Sequence, residues 1–203
     1  MFIQPSIFIQ KIFPSLIWKK RNTNNKIWLT FDDGPCPIST PFILKTLNEE
    51  RIKATFFLVG EQIQKYPKLF HEIIKNGHIV GNHSYSHKNG WLSRNSKYFD
   101  DIEKCQKLMP NNNIFRPPYG KISPLQIKYL KKKYKIILWD VLGWDFLSNT
   151  TPKKIKKNVL KNTTSGSIIV LHNNRKSAQN IKIVLKEIII ELKQKKFLFA
   201  TTW

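Results

Sequence analysis

Short runs of β-branched and aromatic residues alternate with helical patterns along most of this chain. The predicted strands are Ile27–Phe31, Ala54–Val59, His78–Gly81, Ile114–Arg116, Lys135–Trp139, Ser167–Leu171 and Phe197–Thr201. Helical periodicity is found between them, over 41–51, 61–75, 97–109, 124–132, 152–161 and 177–195. Strands that alternate with helices indicate βα units and a parallel sheet. About seven such units predict an α/β fold, a distorted (β/α) barrel of about seven parallel strands with outer helices.

Local signals support two of these helices. Thr40 is a suitable N-cap for the first helix, and Pro41 follows it at the first helical position. In the last helix, Ile181, Leu185 and Ile188 recur at helical spacing, with lysines on the other face. The chain shows no internal repeat and no linker, so we expect a single barrel domain.

The N-terminal segment differs from the rest of the chain. Met1–Lys20 is mostly apolar but has Lys11 in its middle, and it lacks the charged start and the cleavage site of a signal peptide. No run reaches the roughly 18 uninterrupted apolar residues of a membrane-spanning helix, so we expect no transmembrane anchor. We expect residues 1–25 to pack on the barrel or to precede it, and residues 26–203 to form it. The compartment stays open between the cytoplasm and the cell envelope.

The chain is strongly basic, with 35 Lys and Arg residues against 13 Asp and Glu and a formal net charge of +22. Such a charge suggests a nucleic-acid partner. However, arginine, the usual reader of base edges, occurs at only five positions, and the other thirty basic residues are lysines. Abundant Lys, Ile and Asn is also what an AT-rich genome encodes, and no helix-turn-helix, zinc-finger or base-stacking motif is present. We therefore expect no specific nucleic-acid partner.

Polar residues with catalytic or metal-binding chemistry follow the ends of five predicted strands. They are Asp32, Asp33, His83, His87, Arg116, Asp140, Asp145 and His172. The C-terminal strand ends of a βα barrel form one face, and active sites lie on that face. Each short pattern is common by itself, since Asp-Asp-Gly-Pro is usually a turn and a His-x3-His pair often lies on a helix surface. Their joint occurrence at strand ends predicts an active site.

The chemistry of this set is that of a hydrolase. One Asp with two His gives a mixed nitrogen and oxygen site with open positions, as in catalytic zinc sites. The two cysteines, Cys36 and Cys105, are too few for an all-thiolate zinc site. A divalent ion polarises a carbonyl group and acidifies water. The second Asp of the pair is a candidate base, and His172 is a candidate acid for a leaving amine.

Four sequence motifs occur together in this chain. They are LTFDDGP at 29–35, ATFFLVG at 54–60, GNHSYSH at 81–87 and RPPYG at 116–120. On these motifs the sequence resembles the polysaccharide deacetylase family, the NodB-homology carbohydrate esterases that remove N- or O-acetyl groups from chitin, peptidoglycan or xylan. The resemblance extends over roughly residues 26–203, nearly the whole chain.

The resemblance implies a metal site and a base. Asp33, His83 and His87 would hold a divalent metal, usually zinc, with cobalt and manganese as alternatives. Asp32 would be the general base, and Arg116 would orient it and form an ion pair with it.

The resemblance also implies an acid and substrate contacts. His172 would be the general acid, and Asp145 would tune the pKa of His172 through a hydrogen bond. The backbone amide of Tyr119 would join the metal in stabilising the oxyanion. Leu171 would line the small pocket for the acetyl methyl group, and Trp144 is a further candidate to line a substrate subsite.

Two positions depart from the family pattern. The fourth motif usually reads Asp-Trp, whereas here Phe146 follows Asp145 and changes the residue that walls the groove. After the histidine of the fifth motif the family commonly has Asp, whereas this chain has Asn173. The neutral side chain changes the electric field near His172 but does not remove the acid itself.

We therefore expect a metal-dependent hydrolase that removes acetyl groups from an N-acetylated polysaccharide such as peptidoglycan or a chitin-like glycan. Residues 26–203 would be the catalytic domain, its partner would be the acetylated glycan, and we expect a monomer. The alternative is a catalytically inactive glycan-binding homologue, although such relics typically lose the metal ligands. The glycan, its preferred length and the selectivity between N- and O-acetyl groups stay open at this point.

Overall fold

A curled sheet of parallel strands forms the centre of the molecule. The computed structural model describes residues 12–21, 24–109 and 112–203. Within these residues the strands are β1 Leu16–Ile17, β2 Lys26–Asp32, β3 Thr55–Leu58, β4 Ile79–Asn82, β5 Ile114–Phe115, β6 Lys135–Ile137, β7 Val141–Leu142, β8 Ile168–His172 and β9 Leu198–Phe199. They pair in parallel in the order β1-β6-β5-β4-β3-β2-β8-β7, and β9 pairs with the start of β2.

Helices connect the strands and cover the outside of the sheet. They are α1 Thr40–Glu49, α2 Gly60–Lys65, α3 Pro67–Lys75, α4 Asn95–Gln106, α5 Pro124–Leu130, α6 Pro152–Asn162 and α7 Ala178–Gln194. Short 3-10 turns lie at Gly90–Leu92 and Pro118–Gly120. The predicted α/β fold, a distorted parallel barrel with outer helices, is confirmed.

The alternation of side chains along β2 separates the core from the barrel interior. Ile27, Leu29 and Phe31 pack in the core with residues of α1 and α7. Thr30 and Asp32 lie on the opposite face, where both accept hydrogen bonds from a buried arginine. Because successive side chains of a strand point to opposite faces, one seven-residue strand supplies both the apolar layer and a functional carboxylate.

The structure differs from the predicted elements in three respects. The strands β1 and β7 were not predicted, since two-residue strands are too short to show a periodic pattern. The helix predicted over 61–75 is two helices, α2 and α3, with Tyr66 between them at φ −131° and ψ 57°. Pro67 causes this break, because the ring of a proline disfavours helical backbone angles at the residue before it.

The third difference lies at the start of α1. The helix begins at Thr40, with Ser39 rather than Thr40 as its N-cap residue. The hydroxyls of Ser39 and Thr40 instead donate hydrogen bonds to Oδ1 of Asn173, at 2.7 and 3.1 Å. A tertiary contact therefore replaces the local cap that the sequence suggested.

Part of the N-terminal segment lies against the sheet. β1 pairs in parallel with β6, and Leu16 is buried in a cluster that includes Phe115 and Tyr134. Residues 1–11 and 22–23 lie outside the described residues, so the placement predicted for them stays a prediction. None of the helices in the described part of the chain combines the length and the apolarity that crossing a membrane requires.

The packing of α7 on the sheet gives a first prediction. Ile189 of α7 is fully buried in the main core, whereas Ile183 of the same helix is 52% exposed. Ile189→Ala should lower the free energy of unfolding by about 2–5 kcal/mol, because it leaves a cavity. Ile183→Ala should change it by about 0.5 kcal/mol or less. Urea unfolding followed by circular dichroism measures both values, and equal losses would contradict this packing.

Candidate active site

The C-terminal ends of the strands surround a cavity of about 580 Å³. Strands β2, β4 and β8 and the loops after β5 and β7 bring polar side chains to this edge, because parallel strands all end on the same side of the sheet. The residues that line the cavity are Asp32, Asp33, His83, His87, Tyr119, Lys121, Trp139, Leu142, Phe146, Val170, His172, Asn174, Arg175 and Lys176.

Asp32 is held by a buried ion pair with Arg116, whose side chain is fully buried. The Nη1 of Arg116 donates to Oδ1 of Asp32 at 2.6 Å and to the hydroxyl of Thr30 at 2.7 Å. Its Nε and Nη2 donate to the carbonyls of Ile137 and Leu138, at 3.3 and 3.1 Å. Every guanidinium nitrogen thus has an acceptor, and the carboxylate is fixed in one orientation.

Three side chains form a possible metal site. One ligand atom from each of Asp33, His83 and His87 lies within 4.8 Å of the others. The Nδ1 of His83 lies 2.8 Å from the carbonyl oxygen of Arg116. When this Nδ1 carries the proton and donates it to the carbonyl, the Nε2 lone pair is free for a metal. One carboxylate oxygen and two imidazole nitrogens fit zinc or a similar divalent ion with open positions.

Asp33, the carboxylate of this possible metal site, is held in a fixed orientation. Burial by itself would raise the pKa of the Asp33 carboxyl, but hydrogen bonds to His83 and His87 and the charge of His172 hold that pKa well below its usual range. The Nε2 atoms of His83 and His87 lie 3.5 and 3.1 Å from Oδ1 of Asp33. Its Oδ2 accepts a hydrogen bond from Nδ2 of Asn174 at 2.7 Å. Asn174 is therefore an outer partner of the kind that orients metal ligands.

A buried carboxylate of α4 holds the loop between the two histidines. Oδ2 of Asp101 accepts hydrogen bonds from the backbone N–H groups of Tyr85 and Ser86, at 2.9 and 3.1 Å. Its Oδ1 accepts from the Ser86 hydroxyl at 2.8 Å and from the Lys88 ammonium at 3.1 Å. Burial opposes ionisation of Asp101, but the hydrogen bonds from Ser86 and Lys88 lower its pKa below the usual value. The sequence placed Asp101 only within a predicted helix, and no local signal marked this role.

His172 and Asp145 form a second polar pair at the cavity. Nδ1 of His172 lies 2.9 Å from Oδ1 of the fully buried Asp145, whose Oδ2 accepts from the His172 backbone N–H at 2.7 Å. Burial by itself would lower the pKa of His172. The charge and hydrogen bond of Asp145, with the charges of Asp33 and Asp32, outweigh burial and raise the pKa to about 9. The raised pKa favours the imidazolium form of His172, the form that can donate a proton.

Several residues in the loops of the site have left-handed backbone conformations. The φ angles are 78° at Asp33, 62° at Ser84, 54° at His87, 60° at Tyr119 and 63° at Trp144. Such angles are uncommon for residues other than glycine and cost about 1–3 kcal/mol each. The chain turns sharply at these strand ends, and the surrounding hydrogen bonds hold it there.

Of the three residues predicted to contact the substrate, one lines the cavity and two do not. Tyr119 lines the cavity, and its ring lies edge-on to the ring of His87 with centroids 4.6 Å apart. No acceptor among the described residues takes the backbone N–H of Tyr119, so it is available to a substrate oxygen. Leu171 is fully buried in the main core and Trp144 is only 6% exposed, and neither is among the lining residues.

The apolar part of the lining is formed by Trp139, Leu142, Phe146 and Val170. The sequence pattern indicated Phe146 as a wall of the groove but did not indicate the other three. Because side chains alternate along β8, Val170 shares a face with His172 while Leu171 points to the opposite face. This period of two was a signal in the sequence that could have found Val170. The ring of Phe146 lies edge-on to that of His172 with centroids 4.5 Å apart, so Phe146 does wall the cavity.

Asn173 is a buried residue that joins the loop after β8 to the start of α1. Its Oδ1 accepts from the hydroxyls of Ser39 and Thr40, and its backbone N–H donates to the carbonyl of Asp32 at 2.7 Å. Its Nδ2 is buried without a partner among the described residues. A Cβ on residue 34 would lie 2.2 Å from that nitrogen, so this close approach needs Gly34. The neutral amide adds no charge beside Asp32.

One cavity at the C-terminal edge of a parallel α/β barrel thus brings together three side chains that could hold a metal ion, an arginine-paired carboxylate and a histidine paired with a buried carboxylate. Such a set is typical of metal-dependent hydrolases. A family model described as polysaccharide deacetylase matches residues 19–135. The chain belongs to the polysaccharide deacetylase family, whose members are in general metal-dependent. The predicted family and enzyme class are confirmed.

Two relatives and one solved structure give the extent of the similarity. The chain is 33% identical over 193 residues to a peptidoglycan-N-acetylglucosamine deacetylase of Bacillus cereus, covering 91% of this chain and 89% of that one. It is 36% identical over 172 residues to the peptidoglycan-N-acetylmuramic acid deacetylase PdaC of Bacillus subtilis, covering 80% of this chain but 35% of that longer protein.

The solved structure is a peptidoglycan N-acetylglucosamine deacetylase in complex with 4-naphthalen-1-yl-N-oxidanyl-benzamide. It superposes with a TM-score of 0.89 at 32% sequence identity, covering 97% of this chain and 94% of that one.

The His172–Asp145 pair gives a prediction on pH dependence. Asp145→Asn removes a charge that raises the pKa of His172, so the acid should lose its proton at lower pH than in the wild type. The alkaline limb of the profile of kcat/KM against pH should move down by about one pH unit or more. A bound cation offsets the charge of Asp33, which also acts on the pKa of His172. The wild type and Asp145→Asn are therefore compared with the same metal bound, and the difference between their alkaline limbs is measured. An unchanged alkaline limb would contradict this role of Asp145.

The possible metal site gives a prediction on zinc affinity, which can be measured without an activity assay. His83→Ala and His87→Ala should each weaken zinc binding by about 100-fold or more, since losing an outer partner alone costs about 10–100-fold. Equilibrium dialysis with metal analysis measures the affinity. The matched control is His71→Ala, because His71 is exposed on α3 and should leave zinc affinity unchanged. Wild-type affinity in either of the first two variants would refute the ligand set.

Proposed function

We propose that this chain is a metal-dependent deacetylase that hydrolyses N-acetyl groups of the peptidoglycan glycan strand. The observation that carries the proposal is the convergence of three groups on one cavity of about 580 Å³. These groups are the arginine-paired carboxylate Asp32, the Asp33–His83–His87 site, and His172 paired with Asp145. A base, a metal site and an acid are the parts that amide hydrolysis needs.

The names of the relatives support peptidoglycan as the glycan. One relative acts on N-acetylglucosamine of peptidoglycan and the other on its N-acetylmuramic acid. Both sugars carry an acetamido group, so we propose an N-acetyl rather than an O-acetyl substrate. A chitin-like oligomer offers the same acetamido group and is a second, neutral candidate substrate.

Zinc is the metal that we propose for the site, because two imidazoles and one carboxylate are typical ligands of catalytic zinc. Bound there, the ion would polarise the acetyl carbonyl and lower the pKa of a water molecule. The chain itself offers the backbone N–H of Tyr119 as a further donor to the oxygen that becomes negative. All these groups come from one chain, in keeping with the expected monomer.

Asp32 is proposed as the base. Its Oδ1 accepts the hydrogen bond from Arg116, so its other oxygen is the one that takes the proton of the attacking water. The guanidinium holds the carboxylate in one orientation and stops it from rotating away. The water oxygen then bonds to the acetyl carbon while one water proton passes to Asp32. After the products leave, Asp32 gives this proton to solvent and His172 takes one up, so both groups return to their starting states.

His172 is proposed as the acid. As the bond between the acetyl carbon and the sugar nitrogen breaks, the imidazolium gives its proton to the leaving nitrogen. Asp145 stabilises the imidazolium before this transfer. The products are acetate and a free amino sugar, and the atoms of one water molecule are divided between them.

The proposal predicts metal-dependent acetate release that needs Asp32. The zinc-loaded protein should release acetate from peptidoglycan and N-acetylglucosamine oligomers, and a chelator should stop the release. Asp32→Asn should lower kcat by about 100-fold or more, the usual contribution of general base catalysis, while zinc still binds with a stoichiometry of one. Asp100→Asn is the matched control, since Asp100 is exposed on α4.

The same measurement decides between the proposal and the inactive homologue. Stoichiometric zinc binding without acetate from peptidoglycan, chitin oligomers or acetylated xylan would favour a glycan-binding homologue. Full activity of Asp32→Asn would refute the base assignment alone. Full activity after removal of the metal would refute the metal-dependent mechanism.

A further inference from the structure

Three cationic side chains line the catalytic cavity in addition to the proposed catalytic groups. They are Lys121, Arg175 and Lys176. The carboxylates in the lining are Asp32, which is paired with Arg116, and Asp33, which belongs to the possible metal site. No lining carboxylate is therefore left to neutralise these cations, and the cavity has an excess of positive charge.

The three cations are unpaired in a chain that pairs most of its carboxylates elsewhere. Glu49, Glu103 and Asp101, for example, form ion pairs with lysines outside the cavity. No carboxylate in the described part of the chain forms an ion pair with Lys121, Arg175 or Lys176. These cations are therefore open to an anionic ligand.

The arginine is the more informative of these residues. Unpaired lysines are expected in a chain with a net charge of +22, whereas the chain has only five arginines. Two of the five, Arg116 and Arg175, are at the catalytic site. A guanidinium presents a planar fork that binds a carboxylate through two parallel hydrogen bonds, which an ammonium group cannot do.

Arg175 lies at the junction of two cavities. A second cavity of about 400 Å³ adjoins the catalytic cavity, and the two share Asp33, His87, Asn174 and Arg175. A glycan whose acetamido group reaches the metal ligands would therefore place a neighbouring substituent beside Arg175. Arg175 is exposed, so its guanidinium is free to meet that substituent.

Lys121 brings positive charge from another loop of the cavity. It follows the turn that contains Tyr119, and its ammonium lies 5.5 Å from the ring centre of Trp91. Trp91 is 64% exposed, and its Nε1 donates to the carbonyl of Ile122 at 3.1 Å, which fixes the ring. Cations thus stand on two loops of the cavity, with Lys121 on one and Arg175 and Lys176 on the other.

We infer that Lys121, Arg175 and Lys176 make the cavity selective for glycans with a carboxylate next to the acetamido group, and that Arg175 is the principal carboxylate-binding residue. N-acetylmuramic acid without its peptide has this chemistry, because its lactyl carboxylate is free. In a peptide-bearing strand that group is a neutral amide, and a chitin oligomer has no such group. The inference rests on the proposed deacetylase function and narrows its substrate class. The three residues bind substrate and take no part in the proton transfers.

The test compares two oligomers, one with charged lactyl groups and one in which these groups are neutral. One is a peptide-free tetramer of alternating N-acetylglucosamine and N-acetylmuramic acid, and the other is the same tetramer with its lactyl carboxylates as methyl esters. At low ionic strength the wild type should have a kcat/KM about tenfold higher for the free carboxylate, the value for one charge-assisted contact of about 1.4 kcal/mol. The difference should lie in KM.

Substitutions show which residue causes the selectivity for the free carboxylate. Arg175→Gln should bring the ratio of the two kcat/KM values close to one, and Arg175→Lys should keep part of it, because the charge remains but the fork is lost. Lys157→Gln makes the same charge change on the exposed face of α6, away from the cavity lining, and should leave the ratio unchanged. Thermal unfolding verifies that each variant is folded.

Three results would overturn the inference. One is a wild-type ratio near one together with acetate release from both tetramers, which leaves the proposed deacetylase function standing. Another is an equal loss of the ratio in Arg175→Gln and Lys157→Gln, which would assign the effect to the general surface charge. The last is equal calorimetric affinity of the zinc-loaded protein for the two tetramers, a measurement that applies even if neither tetramer releases acetate and the proposed function fails.

Discussion

The buried ion pair between Arg116 and Asp32 is the interaction on which the rest of the site depends. Moving a guanidinium out of water costs several kcal/mol, and this one is compensated by a carboxylate, a hydroxyl and two carbonyls inside the barrel. Removing one partner of such a pair costs about 3–5 kcal/mol, because the other charge stays buried. The pair therefore connects β2, β5 and the end of β6, and it orients the proposed base at the same time.

The same arginine also connects the proposed base to the possible metal site. Its backbone carbonyl lies 2.8 Å from Nδ1 of His83, so Arg116 reaches Asp32 with its side chain and His83 with its main chain. Asp101 holds the loop of the two histidines, and Asn174 holds Asp33. The polar groups are oriented before any substrate arrives, which is the condition for electrostatic catalysis.

The folded structure shows where three of the many positive charges lie, at the cavity. In the sequence, +22 is a sum over lysines that any basic protein could carry, and it argues for no particular partner. In the structure, some lysines of the outer helices pair with carboxylates, as Lys156 and Lys186 do, and the cations Lys121, Arg175 and Lys176 gather at one cavity. Which cations gather there depends on which loops meet at the strand ends, and composition does not contain that information.

The sequence by itself determined the fold class and the identity of the metal-ligand candidates, because both have local signals. Strand and helix periods repeat along the chain, and Asp33, His83 and His87 belong to compact motifs with suitable chemistry. Only the tertiary structure decided that Asp101 holds the loop of the two histidines, that Asn174 orients Asp33, and which face of β8 is turned to the cavity. These roles depend on sheet order and on which face of a strand is covered, and both arise from contacts between residues far apart in the chain.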